Sequence, residues 1–166
     1  MGSPKLTDGE SDFLRESNAI EGVFDEVSFW DAAYAWEYLK EQNELTTSVI
    51  LKTHKILMLN QKLQPDERGY FRKCEVKIGY RFGMNYILVP SAIADWCEDV
   101  KTSIEVPGRN GNNIKVDHIE YEKIHPFVDG NGRTGRMFMN WERLKAGLDL
   151  MIIWEADKSD YYKWFK

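Results

Sequence analysis

The sequence predicts a mostly α-helical single domain carrying one short β-hairpin. Apolar residues recur every three or four positions through most of the chain, whereas two short runs near its middle alternate instead. The breaks between these segments hold capping or turn-forming residues. A length of 166 residues with 43% hydrophobic and 13% aromatic content suffices for one core, and no repeat or low-complexity linker divides it.

Taken in order, residues 11–20 form the first expected helix. Ser28 is the expected cap of a second that reaches about residue 42, with Phe29, Ala32, Ala33, Trp36 and Leu39 along one stripe. Thr46 or Thr47 starts a third through about residue 61, placing Ile50, His54, Leu57 and Met58 in register. The run Pro65-Asp66-Glu67-Arg68-Gly69 breaks it. Residues 74–80 and 85–89 read as two strands of a hairpin around Arg81-Phe82-Gly83-Met84. Pro90 and Ser91 open a fourth helix to residue 104, residues 107–113 form a loop, and residues 116–124 make a helix leading into a glycine-rich turn. Residues 137–144 continue as a helix beyond that turn, and a last helix runs from near Lys158 to the end.

Bulk charge narrows the partners. A formal charge of −5 and a pI near 5.3 argue against nucleic acid or an anionic membrane surface as the main partner. No apolar run approaches a membrane span, and Cys74 and Cys97 are too few to staple the domain and show no metal-ligand spacing. They read as free thiols of a reducing, cytoplasmic setting.

The densest chemistry lies in His125-Pro126-Phe127-Val128-Asp129-Gly130-Asn131-Gly132-Arg133-Thr134-Gly135-Arg136. Glycines allow the main chain to curl against a ligand, and the following helix offers N-terminal amides to an anion. Arg133 and Arg136 fall about one helical turn apart and can face the same polyphosphate. Asp129 is a hard oxygen ligand suited to a Mg²⁺ held mainly by phosphates, and His125 can take a proton from a hydroxyl. His54 and His118, on helical apolar stripes, read as structural histidines, and Phe127 as the hydrophobic anchor of the loop.

This stretch resembles the signature of the Fic family, His-x-Phe-x-(Asp/Glu)-Gly-Asn-Gly-Arg-x-x-Arg, at every fixed position. The resemblance extends to His118, Tyr121 and Ile124 ahead of the motif and to Gly69-Tyr70-Phe71-Arg72 with Val76 and Ile78. It implies a Fic-type helical bundle spanning residues 1–166, with the catalytic core over about 46–166. It also implies transfer of AMP from ATP to a Ser, Thr or Tyr hydroxyl of a target protein. In that reading His125 is the base and Asp129 holds Mg²⁺. Gly130, Asn131 and Gly132 cradle the phosphates with their amides, helped by the Asn131 side chain, while Arg133 and Arg136 meet the β- and γ-phosphates. ATP and the target protein are the implied partners, with another copy of this chain left open as target or as homo-oligomer.

Ser17-Asn18-Ala19-Ile20-Glu21-Gly22 is similar to the family's inhibitory motif, (Ser/Thr)-x-x-x-Glu-(Gly/Asn), placed here ahead of the core in a helix over about 8–24. The resemblance implies that Glu21 pairs with Arg136 and misplaces ATP, with Ser17 and Gly22 shaping the motif. The hairpin resembles the family's flap, so Ile78, Tyr80 and Phe82 are candidates for docking an extended target segment. Tyr161 and Tyr162 are candidates for the adenine pocket. Two alternatives remain beside AMP transfer: removal of AMP from a modified protein with Glu21 activating water, and a catalytically silent nucleotide-binding module. Kinase-like transfer of a phosphate is disfavoured by Gly132, where the death-on-curing relatives carry a lysine.

Overall fold

A computed structural model describes residues 2–166. Helix α1, Asp8–Ile20, starts ahead of its expected position because Thr7 and Glu10 close a capping box. Helix α2, Glu26–Lys40, is capped by Asp25 and not by Ser28: the Asp25 carboxylate accepts from both the backbone amide and the hydroxyl of Ser28. Helix α3, Thr47–Leu57, is capped by Thr46 and ends earlier than its apolar pattern suggests, the chain turning through residues 58–62.

The hairpin is smaller than expected and differently registered. Strands β1, Lys77–Ile78, and β2, Arg81–Phe82, pair antiparallel with Lys77 opposite Phe82 and Ile78 opposite Arg81, so the turn falls at Gly79 and Tyr80. Gly79 has φ 60°, which suits glycine. Residues 85–89 are not a strand. The Asn85 side chain accepts from the Ile87 amide to open a 3-10 turn, Tyr86–Leu88, that runs directly into α4, Val89–Ile104. Pro90 decides this, because its fixed φ fits the first turn of a helix and it has no N–H for a ladder.

Helix α5, Gly111–Ile124, begins five residues before its expected start, since Asn110 and Asn113 form another capping box. Helix α6, Asn131–Lys145, begins inside the signature, and the chain finishes with α7, Lys158–Tyr162, tightening into a 3-10 turn over Lys163–Phe165. The expectation of a mostly helical fold with one small antiparallel hairpin holds.

Helix α6 is the axis of the molecule. It packs on α5 and is touched by α1, α2 and α3, so 11 of its 15 residues are buried. Trp36, Leu39, Ile50, Leu57, Tyr121, Phe127, Phe138 and Trp141 form the surrounding core, each fully buried large side chain contributing about 1.5–3 kcal/mol. A helix buried on nearly all sides whose buried residues include Asn, Thr, Glu and two Arg calls for a partner for each of those polar groups. Asn140 does so through the backbone of Met151, and Thr134 through the Tyr121 hydroxyl. Among the described residues no helix is long and apolar enough to cross a membrane.

Candidate active site

The turn between α5 and α6 is held from three sides. His125 ends α5 in the left-handed region, φ 51° and ψ 65°, the one non-glycine residue with positive φ among those described. Such a conformation costs of order 1–3 kcal/mol and needs outside support. Arg72 supplies it: its Nε donates to the His125 carbonyl at 2.6 Å, and its backbone N–H donates to the Pro126 carbonyl at 2.9 Å. Its Nη1 and Nη2 reach the carbonyls of Cys74, Met84 and Ile124, tying the base of the hairpin to the same turn.

From inside, His54 donates from Nε2 to the Asp129 carbonyl at 2.8 Å and accepts the Gly69 amide on Nδ1 at 3.0 Å, a pattern that assigns the neutral tautomer. Burial pushes its pKa down to about 4, and its ring stacks on Phe127 at 3.7 Å. His54 and Phe127 are thus the structural residues the sequence suggests. Asn131 closes the loop, with Oδ1 accepting the Phe127 amide and Nδ2 donating to the Phe127 carbonyl, both at 2.8 Å. Its side chain is therefore engaged in the loop and does not face the phosphate position, contrary to expectation. The Gly130 amide is likewise taken, by Asp129 Oδ1 at 2.8 Å.

What remains for an anion is the first turn of α6 at Asn131, Gly132 and Arg133, whose amides have no intrahelical acceptor. A Cβ at Gly132 would stand 2.5 Å from Glu21 Oε1 and 2.9 Å from Arg136 Nη1, so glycine is what opens that space. The Glu21 carboxylate occupies it. Arg136, only 2% exposed at its side chain, donates from Nη2 to Glu21 Oε1 at 2.8 Å, from Nε to Ser17 Oγ at 2.8 Å and from Nη2 to the Ser17 carbonyl at 3.0 Å. Ser17 in the last turn of α1 and Glu21 at its C-cap thus share one cation. Gly22, φ 72°, turns the chain away immediately afterwards. Arg133 is as buried but less satisfied: Nη1 reaches Gln61 at 3.4 Å, while Nε is buried without a partner. An incompletely partnered buried guanidinium one turn from Arg136 suits a second phosphate.

Asp129 projects from the mouth of the loop, its side chain 65% exposed and Oδ2 4.0 Å from Arg133 Nη2. Among the described residues no group of three His, Cys, Asp or Glu side chains could hold a metal unaided. One exposed carboxylate beside Arg133 fits a Mg²⁺ that arrives with phosphate and water as its other ligands. Opposite it, His125 Nδ1 lies 3.3 Å from the Glu122 carbonyl, which assigns the proton to Nδ1 and leaves Nε2 as the acceptor. Burial lowers the His125 pKa from its ordinary value, and the nearby Arg72 adds to the effect, so the ring is neutral near pH 7.

The remaining candidates divide. Tyr80 and Phe82 are exposed at the hairpin tip and Ile78 is half-buried beside them. Both strands keep an open outer edge, since β1 and β2 are the only members of their sheet. Tyr161 is buried, and its hydroxyl donates to His118 Nε2 at 2.7 Å while lying 3.4 Å from Arg136 Nη1. His118 in turn bonds the Gly135 carbonyl through Nδ1 at 3.1 Å. Tyr161 therefore steadies the arginine, whereas Tyr162 stands exposed next to it. Sequence reasoning placed neither Arg72 nor this tyrosine at the site in these roles. An arginine leading into a hairpin, and a tyrosine and histidine far apart in sequence, carry no local pattern that pairs them.

The structure is thus a helical bundle whose buried central helix gathers Gly132, two buried arginines and its first-turn amides at one end. The model of the Fic/DOC family matches residues 44–142, more than half of the chain, and the chain belongs to that family. A protein adenylyltransferase Fic of Drosophila willistoni is 30% identical over 162 residues, which cover 96% of this chain and 30% of that protein. The chain thus spans about three tenths of the curated relatives it matches. A Fic domain containing signaling protein from Bacteroides thetaiotaomicron shares the fold with TM-score 0.76 at 18% identity, covering 92% of this chain and 69% of that one. The BepC effector of Bartonella tribocorum, solved with bound AMPPNP, aligns with TM-score 0.57 at 16% identity over 78% of this chain and 69% of its own.

Proposed function

We propose that this protein transfers AMP from ATP to a hydroxyl side chain of a target protein and is held inactive by Glu21. The observation that carries the reading is the Glu21 carboxylate seated on Arg136 at the Gly132 end of α6, where a phosphate would otherwise lie. The names of the relatives, protein adenylyltransferase Fic, point the same way.

In the active arrangement Arg136, released from Glu21, takes the γ-phosphate, and Arg133 with the first amides of α6 takes the β-phosphate. Mg²⁺ carried by ATP would lie against Asp129 and offset the charge of the phosphates. The target hydroxyl, aligned by main-chain pairing at the hairpin edge, attacks the α-phosphorus in line. His125 Nε2 accepts its proton, the new O–P bond forms, and the bond to pyrophosphate breaks. The amides of α6 are fixed before the reaction, so they stabilise developing charge without reorganising. With Glu21 in place, ATP has to bind with its γ-phosphate displaced, and an ångström of misplacement can cost ~10²-fold in rate.

The test uses labelled ATP and intact-mass analysis. Glu21→Gly should raise AMP incorporation, self-modification included, and Glu21→Gly with His125→Ala should lose ~10²–10⁴-fold of it while still binding ATP. Incorporation that persists near the single-variant rate removes His125 from the role of base. An unchanged low rate in Glu21→Gly, with ATP bound and the protein folded, removes Glu21 from the role of lock.

A further inference from the structure

Glu122 stands on the last turn of α5, three residues before His125, and the mechanism above leaves it unused. Its side chain is 12% exposed, with Oε2 at 3.9 Å from His125 Nδ1. Oε1 is buried and has no hydrogen-bond partner among the described residues. Room for this carboxyl depends on Gly135 of α6, where a Cβ would stand 2.2 Å from Oε1. A buried carboxyl with one oxygen orphaned, set beside the base of the reaction, is an unfavourable arrangement for a side chain whose only task is packing.

We propose that Glu122 is a positioning residue for His125, and that its charge state sets how strongly His125 Nε2 takes up the target's proton. For its effect on rate the proposal rests on the AMP-transfer reading; for its effect on His125 it does not.

The groups facing Glu122 come from α5 itself, from α6 and α7, from the C-terminal end of α1 and from the turn. Burial disfavours its carboxylate most; Arg136 from α6 favours it, and Glu21 from α1 disfavours it. Tyr121 on α5 and Tyr161 on α7 also sense the charge but are themselves pushed upward by burial, so both stay neutral, as does the depressed His118. Arg72 acts on the far side of the turn, against the His125 carbonyl. The balance pushes Glu122 up to about 8. Phosphates that displace Glu21 carry the same sign and sustain that push.

Near pH 7 the pair is therefore uncharged on both sides, His125 neutral and Glu122 protonated. When the target's proton moves to Nε2, His125 becomes a cation with N–H on both ring nitrogens. An ionised Glu122 across from Nδ1 stabilises that cation, and a protonated one does not. His125 consequently becomes a stronger base as pH rises through the Glu122 ionisation, after an earlier rise as His125 itself loses its proton below 6.5.

The chain has three histidines, and His54 and His118 are pushed down to about 4 and about 3, so imidazole NMR at higher pH reports His125. The His125 shifts should show two inflections, the later one near 8, and Glu122→Gln should abolish the later one. A single inflection in both proteins, or the same two in both, overturns the proposal. In the Glu21→Gly background the transfer rate should climb by up to about tenfold across the later inflection, the factor one unit of His125 basicity is worth, and Glu122→Gln should flatten that limb. Coincident rate profiles from the two proteins overturn it as well. Two inflections together with no AMP transfer from Glu21→Gly would support the Glu122–His125 coupling and overturn the transfer reading instead.

Discussion

Asp129 serves two contacts at once: Oδ1 accepts the Gly130 amide at 2.8 Å, and Oδ2 faces outward near Arg133. Only the second is open to a metal. Asp129→Asn keeps the first contact and weakens the second, because a neutral amide is a poor ligand for Mg²⁺. In the Glu21→Gly background it should lower AMP transfer sharply while thermal stability moves by less than about 0.5 kcal/mol, as for an exposed side chain. Equal rates in chelator and in Mg²⁺ for the Glu21→Gly protein would show that no metal acts there. At this scale the sequence was most informative where chemistry is local. His125, Asp129, Gly132, Arg133 and Arg136 fall within twelve residues, and the structure sets Asp129 beside Arg133 and Gly132 beside Arg136. Asn131 shows the limit of that reading. Its side chain is spent on Phe127 four residues earlier, which residue type and spacing alone cannot distinguish from an outward-facing amide.

The elements that position the site were legible as types and less so as boundaries. Ser28 lost the cap of α2 to Asp25, a stronger acceptor three residues upstream, and Asn110 extended α5 back through what reads as a loop. The run at 85–89 alternates like a strand, but Pro90 and the Asn85 side chain turn it into the start of α4. The hairpin depends on Arg72, which bridges its base to the His125 turn through five carbonyls. Arg72→Lys retains the charge but cannot reproduce the fork. It should leave buried carbonyls unpaired at a cost of about 1–3 kcal/mol and relax the left-handed His125. The expected result is a lower melting temperature together with a loss of kcat larger than any change in KM for ATP, because the hairpin and the base are affected but the arginine pocket is not. A fall in stability with the transfer rate intact would make Arg72 a structural residue alone.

Across the whole molecule, α1 is both part of the core and the carrier of Glu21. Phe13 and Leu14 are buried in the main cluster, and Glu10 accepts from Trp36 Nε1 at 3.0 Å and from Lys40 at 2.7 Å, so the helix is anchored along its length. The cap at its C-terminal end is different: the Glu21 side chain is 38% exposed. On the proposed reading, relief of inhibition needs the carboxylate to leave Arg136, and not the helix to leave the core. Two variants separate these routes. Leu14→Ala opens a cavity under α1 and should cost about 2–5 kcal/mol with little gain in transfer. Glu21→Gly removes one of several partners of Arg136, leaving Ser17 and Tyr161 in place. Its melting temperature should fall by only about 2–8 °C, since 1 kcal/mol corresponds to roughly 2–4 °C for a domain of this size. Saturating ATP with Mg²⁺ then supplies the missing negative charge. At a hundredfold excess over its Kd it should return about 2.7 kcal/mol, a larger thermal shift than the same nucleotide concentration gives in the unmutated protein, where ATP binds without Arg136 on its γ-phosphate. Equal nucleotide shifts in the two proteins would mean that Glu21 and ATP do not compete for Arg136. Transfer by Leu14→Ala at the rate of Glu21→Gly would instead make undocking of α1 the releasing step.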